Sequence, residues 1–274
     1  MGTLYLVATP IGNLEDTSPR ALRILSTVRL IAAEDTRQTI KLLNHFNIHT
    51  ALTSYFEHSK LSKVDQILAA LEIGDVALVS DAGTPALNDP GYELVRSALQ
   101  AGYQVSPVPG ACAPVAALVA SGLPTDTFLY LGYLPRKTSD RRRALSKASD
   151  YPFTLIFLET PHRLEAALED VYAVLGDREM AVARELTKLH EEIFRGSVRA
   201  AQAHFSIHPP RGEFTLVIAG KKIEITRWSE ENLDEALHAA LKTSQPPGRI
   251  ASSLAAESGW SRREIYRRMT EIQK

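Results

Sequence analysis

Short apolar runs alternate along the chain with stretches whose apolar residues recur every three or four positions. Thr3–Ala8 and Leu30–Ala33 read as strands, Thr17–Thr27 and Thr36–Phe46 as helices. Leu61, Val64, Leu68 and Leu71 recur at helical spacing. The β-branched run Val76–Val79 predicts a buried strand that ends in the turn-rich SDAGTPALNDPG. A helix over Tyr92–Ala101, a strand over Gln104–Val108 and a small-residue helix over Ala111–Ser121 follow. Strands alternating with helices predict an α/β fold with a mainly parallel sheet covered on both faces.

The pattern breaks at SGLPTDT, residues 121–127, and then restarts. Strands are predicted at Phe128–Leu131, Thr154–Leu158, Met180–Ala183 and Phe214–Ile218, with a hairpin strand at Glu192–Phe194. Leu164, Leu168, Val171 and Leu175 share one face of a helix. After Gly220 the pattern is helical to the end. The expected organisation is an α/β domain over 1–124, a second over 125–222, and a helical tail over 223–274.

Composition narrows the class. Of 274 residues, 45% are hydrophobic and 23% charged, values of an ordinary soluble globular protein. No apolar run approaches the roughly 18 residues of a membrane span. MGTLYLVATP lacks a basic leader region, so no signal peptide and a cytoplasmic location are expected. Cys112, the only cysteine, excludes an internal disulfide and a CxxC metal knuckle. The net charge of −1 exerts no global pull on nucleic acid.

Common nucleotide and hydrolase motifs are missing. None of the 15 glycines forms a G-x-G pair, which removes the dinucleotide fingerprint. GxxxxGK[ST] and GxSxG are absent too. The pairs His45/His49 and His204/His208 lack the Glu of HExxH and read as loop histidines, so no metal is expected. Four strand ends, in contrast, combine glycine, proline and polar residues: Thr9–Leu14, Ser80–Pro85, Val108–Ala113 and Leu158–Arg163. Each alone is an ordinary turn. Together they can line one pocket, because ligands of open α/β sheets bind beyond the carboxyl ends of strands.

TPIGNLED, AAEDTR, LVSDAGTPALNDPG, VPGACA, LETPHR, ARELTK and GEFTLVIAG occur in that order over residues 3–220. On these motifs the chain resembles the tetrapyrrole-methylase superfamily, and within it a branch that methylates ribosomal RNA. The resemblance implies two αβα domains with S-adenosylmethionine (SAM) in the cleft between them, and a homodimer. It implies methylation of the ribose 2′-hydroxyl of a cytidine in the decoding region of 16S rRNA in the small ribosomal subunit. The cofactor contacts it implies are Pro10, Ile11, Asp81, Gly83, Thr84, Ala111, Cys112, Ala113, Leu158, Leu186, Phe214 and Thr215. Ser80-Asp81-Ala82 departs from the superfamily's Gly-Asp-Pro on both sides of the aspartate.

A ribose hydroxyl is a poor nucleophile until it loses its proton, so a positioned base is useful. The charged clusters offer Asp35, Glu159, His162, Glu185 and Lys188, and sequence does not choose among them. Each has a structural alternative: Glu34 and Asp35 as helix caps, Glu159 paired with Arg163, Glu185 with Lys188. Arg37, Arg163 and Arg184 suit phosphate better than proton transfer. Residues 134–147 hold six cations against Asp140, a net +5, and Arg141, Arg142 and Arg143 are expected exposed there and available to RNA. Residues 260–274 are also basic, with Arg262 and Arg263 facing RNA. Ile250–Ser258, Gly259 and Ser261–Ile272 resemble a helix-turn-helix, although Arg268 stands where an apolar residue is common. A small-molecule methylase needs neither basic tract, and a helix-turn-helix metabolite sensor would bind duplex DNA without turnover; both are alternatives.

Overall fold

The structure is a computed structural model and describes residues 2–56, 60–208, 210–222 and 227–272, with backbone alone for residues 60–62. Leu61 of the predicted helical stripe therefore lies outside the described side chains. The chain forms two compact units, Met1–Lys221 and Lys222–Lys274.

In the first unit, five strands make a wholly parallel sheet: β1 (Thr3–Val7), β2 (Leu30–Ala33), β3 (Leu52–Ser54), β4 (Val76–Val79) and β5 (Gln104–Val108). Their order is β3-β2-β4-β1-β5. Alternation along β2 sends Ile31 and Ala33 to one face and Ala32 to the other. The first face is covered by α1 (Pro19–Thr27) and α2 (Thr36–His45), through Ile24, Leu25 and Leu43. The second is covered by α3 (Lys60–Ile73) and α4 (Tyr92–Gln100), through Ile67, Leu71 and Leu94. With both faces covered, every residue of β4 is buried, which is why it reads as an unbroken apolar run. Ser18 caps α1 by accepting from the Ala21 N–H (3.1 Å), and Pro19 follows at the first helical position. Strand β3, three residues at the sheet edge, left no readable pattern in the sequence.

A second sheet has the order β6-β7-β10-β8-β9. Its strands are β6 (Phe128–Tyr133), β7 (Thr154–Glu159), β8 (Glu179–Arg184), β9 (Glu192–Ser197) and β10 (Phe214–Ile218). Only β6 and β7 pair parallel; β10 runs antiparallel to both β7 and β8, and β9 to β8. One face packs on α6 (Thr138–Ala148), α7 (Leu164–Leu175) and α8 (Val198–Ile207). The other face receives α5 (Ala113–Ser121), whose Ala117 and Leu118 pack on Ile156, Ala181 and Val217. Thus α5 follows a strand of the first sheet but is packed against the second. Among the described residues, no helix is long and apolar enough to cross a membrane.

The stretch at 134–147 needs a correction. It contains α6, and Arg141 is not an exposed cation: its side chain is 4% exposed and bonds Asp170 of α7 at 2.6 Å. Arg142 shares the same carboxylate at 2.6 Å while remaining 55% exposed. A buried charge persists only when paired, and Arg141 also donates to the carbonyl of Arg136 (3.1 Å). Arg143 is exposed and lies 3.5 Å from Asp140.

The second unit contains α9 (Glu230–Leu241), α10 (Pro247–Ser258) and α11 (Arg262–Ile272) around Leu233, Leu237, Ile250, Leu254, Ile265 and Met269. Gly259 ends α10 at φ +69°, a left-handed conformation that suits glycine. Ser261 and Glu264 then open α11 with reciprocal bonds of 3.2 and 2.8 Å, a capping box. Arg268 takes the position of an apolar residue because it grips Asp234 of α9 with two 2.7 Å bonds.

Candidate active site

Parallel strands bring all their carboxyl ends to one edge, so the segments after β1, β2, β4 and β5 converge. Thr9 and Gly83 exchange backbone hydrogen bonds of 2.9 and 3.0 Å, which ties the first segment to the third. Thr84 Oγ1 donates to the Ala111 carbonyl (3.1 Å), tying the third to the fourth. In the second sheet, antiparallel pairing sets the end of β7 beside the start of β10, with Leu158 opposite Thr215 and Glu159 opposite Phe214.

Between these two edges lies a cavity of about 370 Å³. Ile11, Glu34, Asp81–Thr84, Leu87–Asp89 and Cys112–Pro114 line it from the first sheet. Tyr130, Tyr133, Leu158, Glu159 and Glu213–Thr215 line it from the second. Two tyrosines three apart on a regular strand face opposite ways. Here the register of β6 shifts between Tyr130 and Tyr133, and both reach the cavity. Gly132 inside that shift has φ +66°, and a Cβ there would sit 2.5 Å from Asn88 Nδ2. Glycine thus lets the loop after β4 press against β6.

The walls hold five carboxylates, Glu34, Asp81, Asp89, Glu159 and Glu213, and, among the described residues, no Lys, Arg or His. Glu34 accepts from the Asp81 N–H (3.3 Å), and Asp81 accepts from the Asp35 N–H (3.0 Å). Burial pushes the carboxyls of Glu34 and Asp81 up. Asp89 is pushed to about 6, first by burial and then by Glu34, with a hydrogen bond from Ser80 pulling the other way. Glu159, nearly inaccessible, is raised by burial although it accepts from the Thr160 N–H (2.8 Å) and from Arg163 (3.1 Å). Burial also holds the Tyr130 phenol at about 12, and its buried Oη has no hydrogen-bond partner among the described residues.

The model of the tetrapyrrole (corrin/porphyrin) methylases matches residues 3–202. The chain belongs to the tetrapyrrole methylase family. A relative from Synechocystis, named ribosomal RNA small subunit methyltransferase I, is 47% identical over 100% of this chain and 99% of its own. A Thermotoga maritima relative of the same name is 46% identical, and 81% of this chain covers 100% of it. Among solved structures, a diphthine synthase superposes with TM-score 0.62 at 12% identity, over 82% of this chain and 92% of its own, a likeness of fold.

In this tetrapyrrole methylase fold, Ile11, Asp81, Gly83, Thr84, Cys112, Ala113, Leu158, Phe214 and Thr215 meet in one cavity. Pro10 lines an adjoining recess. Ala111 stands behind the wall as the acceptor for Thr84, and Leu186 packs against the core under α5. Of the residues considered as a base, Glu159 alone reaches the cavity. Asp35 instead caps α2, accepting from the Arg37 N–H (2.8 Å), and pairs with the Arg37 side chain at 2.6 Å. His162 lies in the turn before α7, outside the walls. Glu185 bonds Lys188 at 2.8 Å, and Lys188 reaches Glu213 at 3.2 Å. Arg163 bonds Glu159 and the Leu134 carbonyl, and Arg184 bonds Glu192 at 3.2 Å. Arg37 is 87% exposed, and Arg262 and Arg263 are exposed on α11. Sequence reasoning assigned no role to Asp89, Tyr130, Tyr133 or Glu213. NDPG marks a turn and part of the resemblance but no cavity wall, and no periodicity reveals the register shift that aims the tyrosines.

Proposed function

We propose that this chain is a SAM-dependent methyltransferase acting on the ribose 2′-hydroxyl of a cytidine in small-subunit ribosomal RNA. The observation that carries the reading is a cavity lined by five carboxylates, of which Glu159 and Glu213 are paired with Arg163 and Lys188 and Glu34, Asp81 and Asp89 have no such ion pair among the described residues. Such walls suit the sulfonium and ammonium charges of SAM and repel a phosphate. Tyr130 Oη, without a hydrogen-bond partner among the described residues, offers a donor at the wall. The names of the full-length relatives support the rRNA substrate.

When bound, SAM supplies an electrophilic methyl group. The residues around the cavity would have to hold the acceptor oxygen in line with that methyl group. Holding them so is worth about 7–11 kcal/mol. The rigid ties Thr9–Gly83 and Thr84–Ala111 hold the cofactor walls for that purpose. The hydroxyl proton passes to a wall carboxylate. Asp89, held at about 6, is ionised at neutral pH and has a basicity near the working range. Arg37, Arg143, Arg262 and Arg263 supply exposed positive charge for phosphate. The protein acts as a homodimer in the cytoplasm, with working domain limits of 1–124, 125–222 and 223–274.

Transfer of tritiated methyl from SAM is the test, offered small ribosomal subunits, naked rRNA and a porphyrinoid. Label in a nuclease-resistant 2′-O-methylcytidine dinucleotide is expected. Label in the porphyrinoid alone overturns the reading.

A further inference from the structure

The acidic cavity adjoins a second recess of about 460 Å³, and both are walled by Asp81 and Glu213. That volume falls in the range of sites for small ligands, roughly 300–1,000 Å³. Its chemistry differs from that of its neighbour. Pro10 and Leu14 form an apolar wall on one side, and the exposed face of α2 contributes Gln38, Lys41 and Leu42. Lys41 Nζ donates to the neutral Gln38 Oε1 (2.9 Å), Asp35 lies within its electrostatic reach, and Asp81 and Glu213 line the recess with it. The wall after β1 is braced from behind: a Cβ on Gly12 would lie 2.3 Å from Lys188 Cγ and 2.9 Å from Thr187 Oγ1.

We propose that this recess takes the acceptor itself, a single ribonucleotide drawn out of its stack. The inference rests on the methyl-transfer reading above and deepens it. Chemistry on a nucleotide held among stacked neighbours requires that it be exposed first, and a splayed base is then read by apolar faces and by hydrogen bonds to its edge. Leu14, Leu42 and Pro10 supply the faces. The Gln38 amide supplies both a donor and an acceptor for a base edge. Lys41 supplies a point charge for the flanking phosphate. The shared wall at Asp81 and Glu213 becomes the boundary across which the ribose hydroxyl meets the methyl donor. A division of labour follows: carboxylates for the cationic cofactor on one side, an amide and an ammonium for the anionic RNA on the other.

Steady-state transfer to small ribosomal subunits, paired with calorimetry of SAM binding, tests the assignment on the full chain. For Gln38→Ala/Lys41→Ala, KM for the subunit is expected to rise about tenfold, the equivalent of about 1.4 kcal/mol. SAM affinity should stay within twofold. Leu14→Trp, which fills the recess from an exposed position, should abolish transfer and still bind SAM. Unchanged KM in both the double variant and Leu14→Trp overturns the assignment. So does a parallel loss of SAM affinity, which would make the recess part of the cofactor site. A wild-type protein that binds SAM but labels no ribosomal substrate overturns the parent reading as well, and its silence separates that failure from the other two.

Discussion

Asp89 holds its proton more tightly in the fold than in the unfolded chain, because burial, Glu34 and Asp81 all disfavour its charge. Between the ordinary aspartate value and about 6, the folded state keeps a proton that the unfolded state releases. Stability of the unliganded protein must then fall as pH rises through that window. A cationic ligand reverses the preference, since it favours the ionised carboxylate. Asp89→Asn is therefore expected to raise the melting temperature at pH 8 more than at pH 4. Wild-type SAM affinity should climb between pH 5 and pH 7, and the Asn variant should flatten that climb. Thermal scans and calorimetry at those pH values read both; equal pH profiles for the two proteins would remove Asp89 from the site.

Helices α6 and α7 are joined by one carboxylate that serves two arginines. Asp170 is buried, and Arg141 has no solvent to fall back on. Removing one partner of a buried ion pair costs about 3–5 kcal/mol, because the other charge is stranded. Asp170→Ala should lose stability of that order in urea titrations, whereas Arg143→Ala should change it by about 0.5 kcal/mol or less. Neutralising Arg141, Arg142 and Arg143 together is consequently expected to loosen the fold. Only the single Arg143 change isolates an effect on RNA.

The chain's two units have separate cores, and every residue lining the acidic cavity lies between Ile11 and Thr215. A chain ending at Lys221 should therefore fold and bind SAM with wild-type affinity. Circular dichroism and calorimetry check this; an aggregated or non-binding fragment would tie the helical unit to the integrity of the first.

Local order in the sequence determined most elements and the direction of the chemistry. Val76–Val79 reads as buried because four consecutive apolar residues are usable only where both faces are covered. Strand ends rich in Gly and Pro marked the ligand edge, since turn residues and parallel strands both leave local traces. Nothing local marks which charges are spent. Arg141 and Arg143 look alike in the chain, and only the packing of α6 on α7 hides one and exposes the other. The register shift that turns Tyr130 and Tyr133 into one cavity rests on Gly132 meeting Asn88, more than forty residues away in sequence. The raised pKa of Asp89 likewise depends first on burial in the folded cavity and then on Glu34, which the end of β2 delivers. Periodicity is written residue by residue, whereas desolvation and pairing exist only once distant segments share a dry space, and for that reason tertiary structure alone decided them.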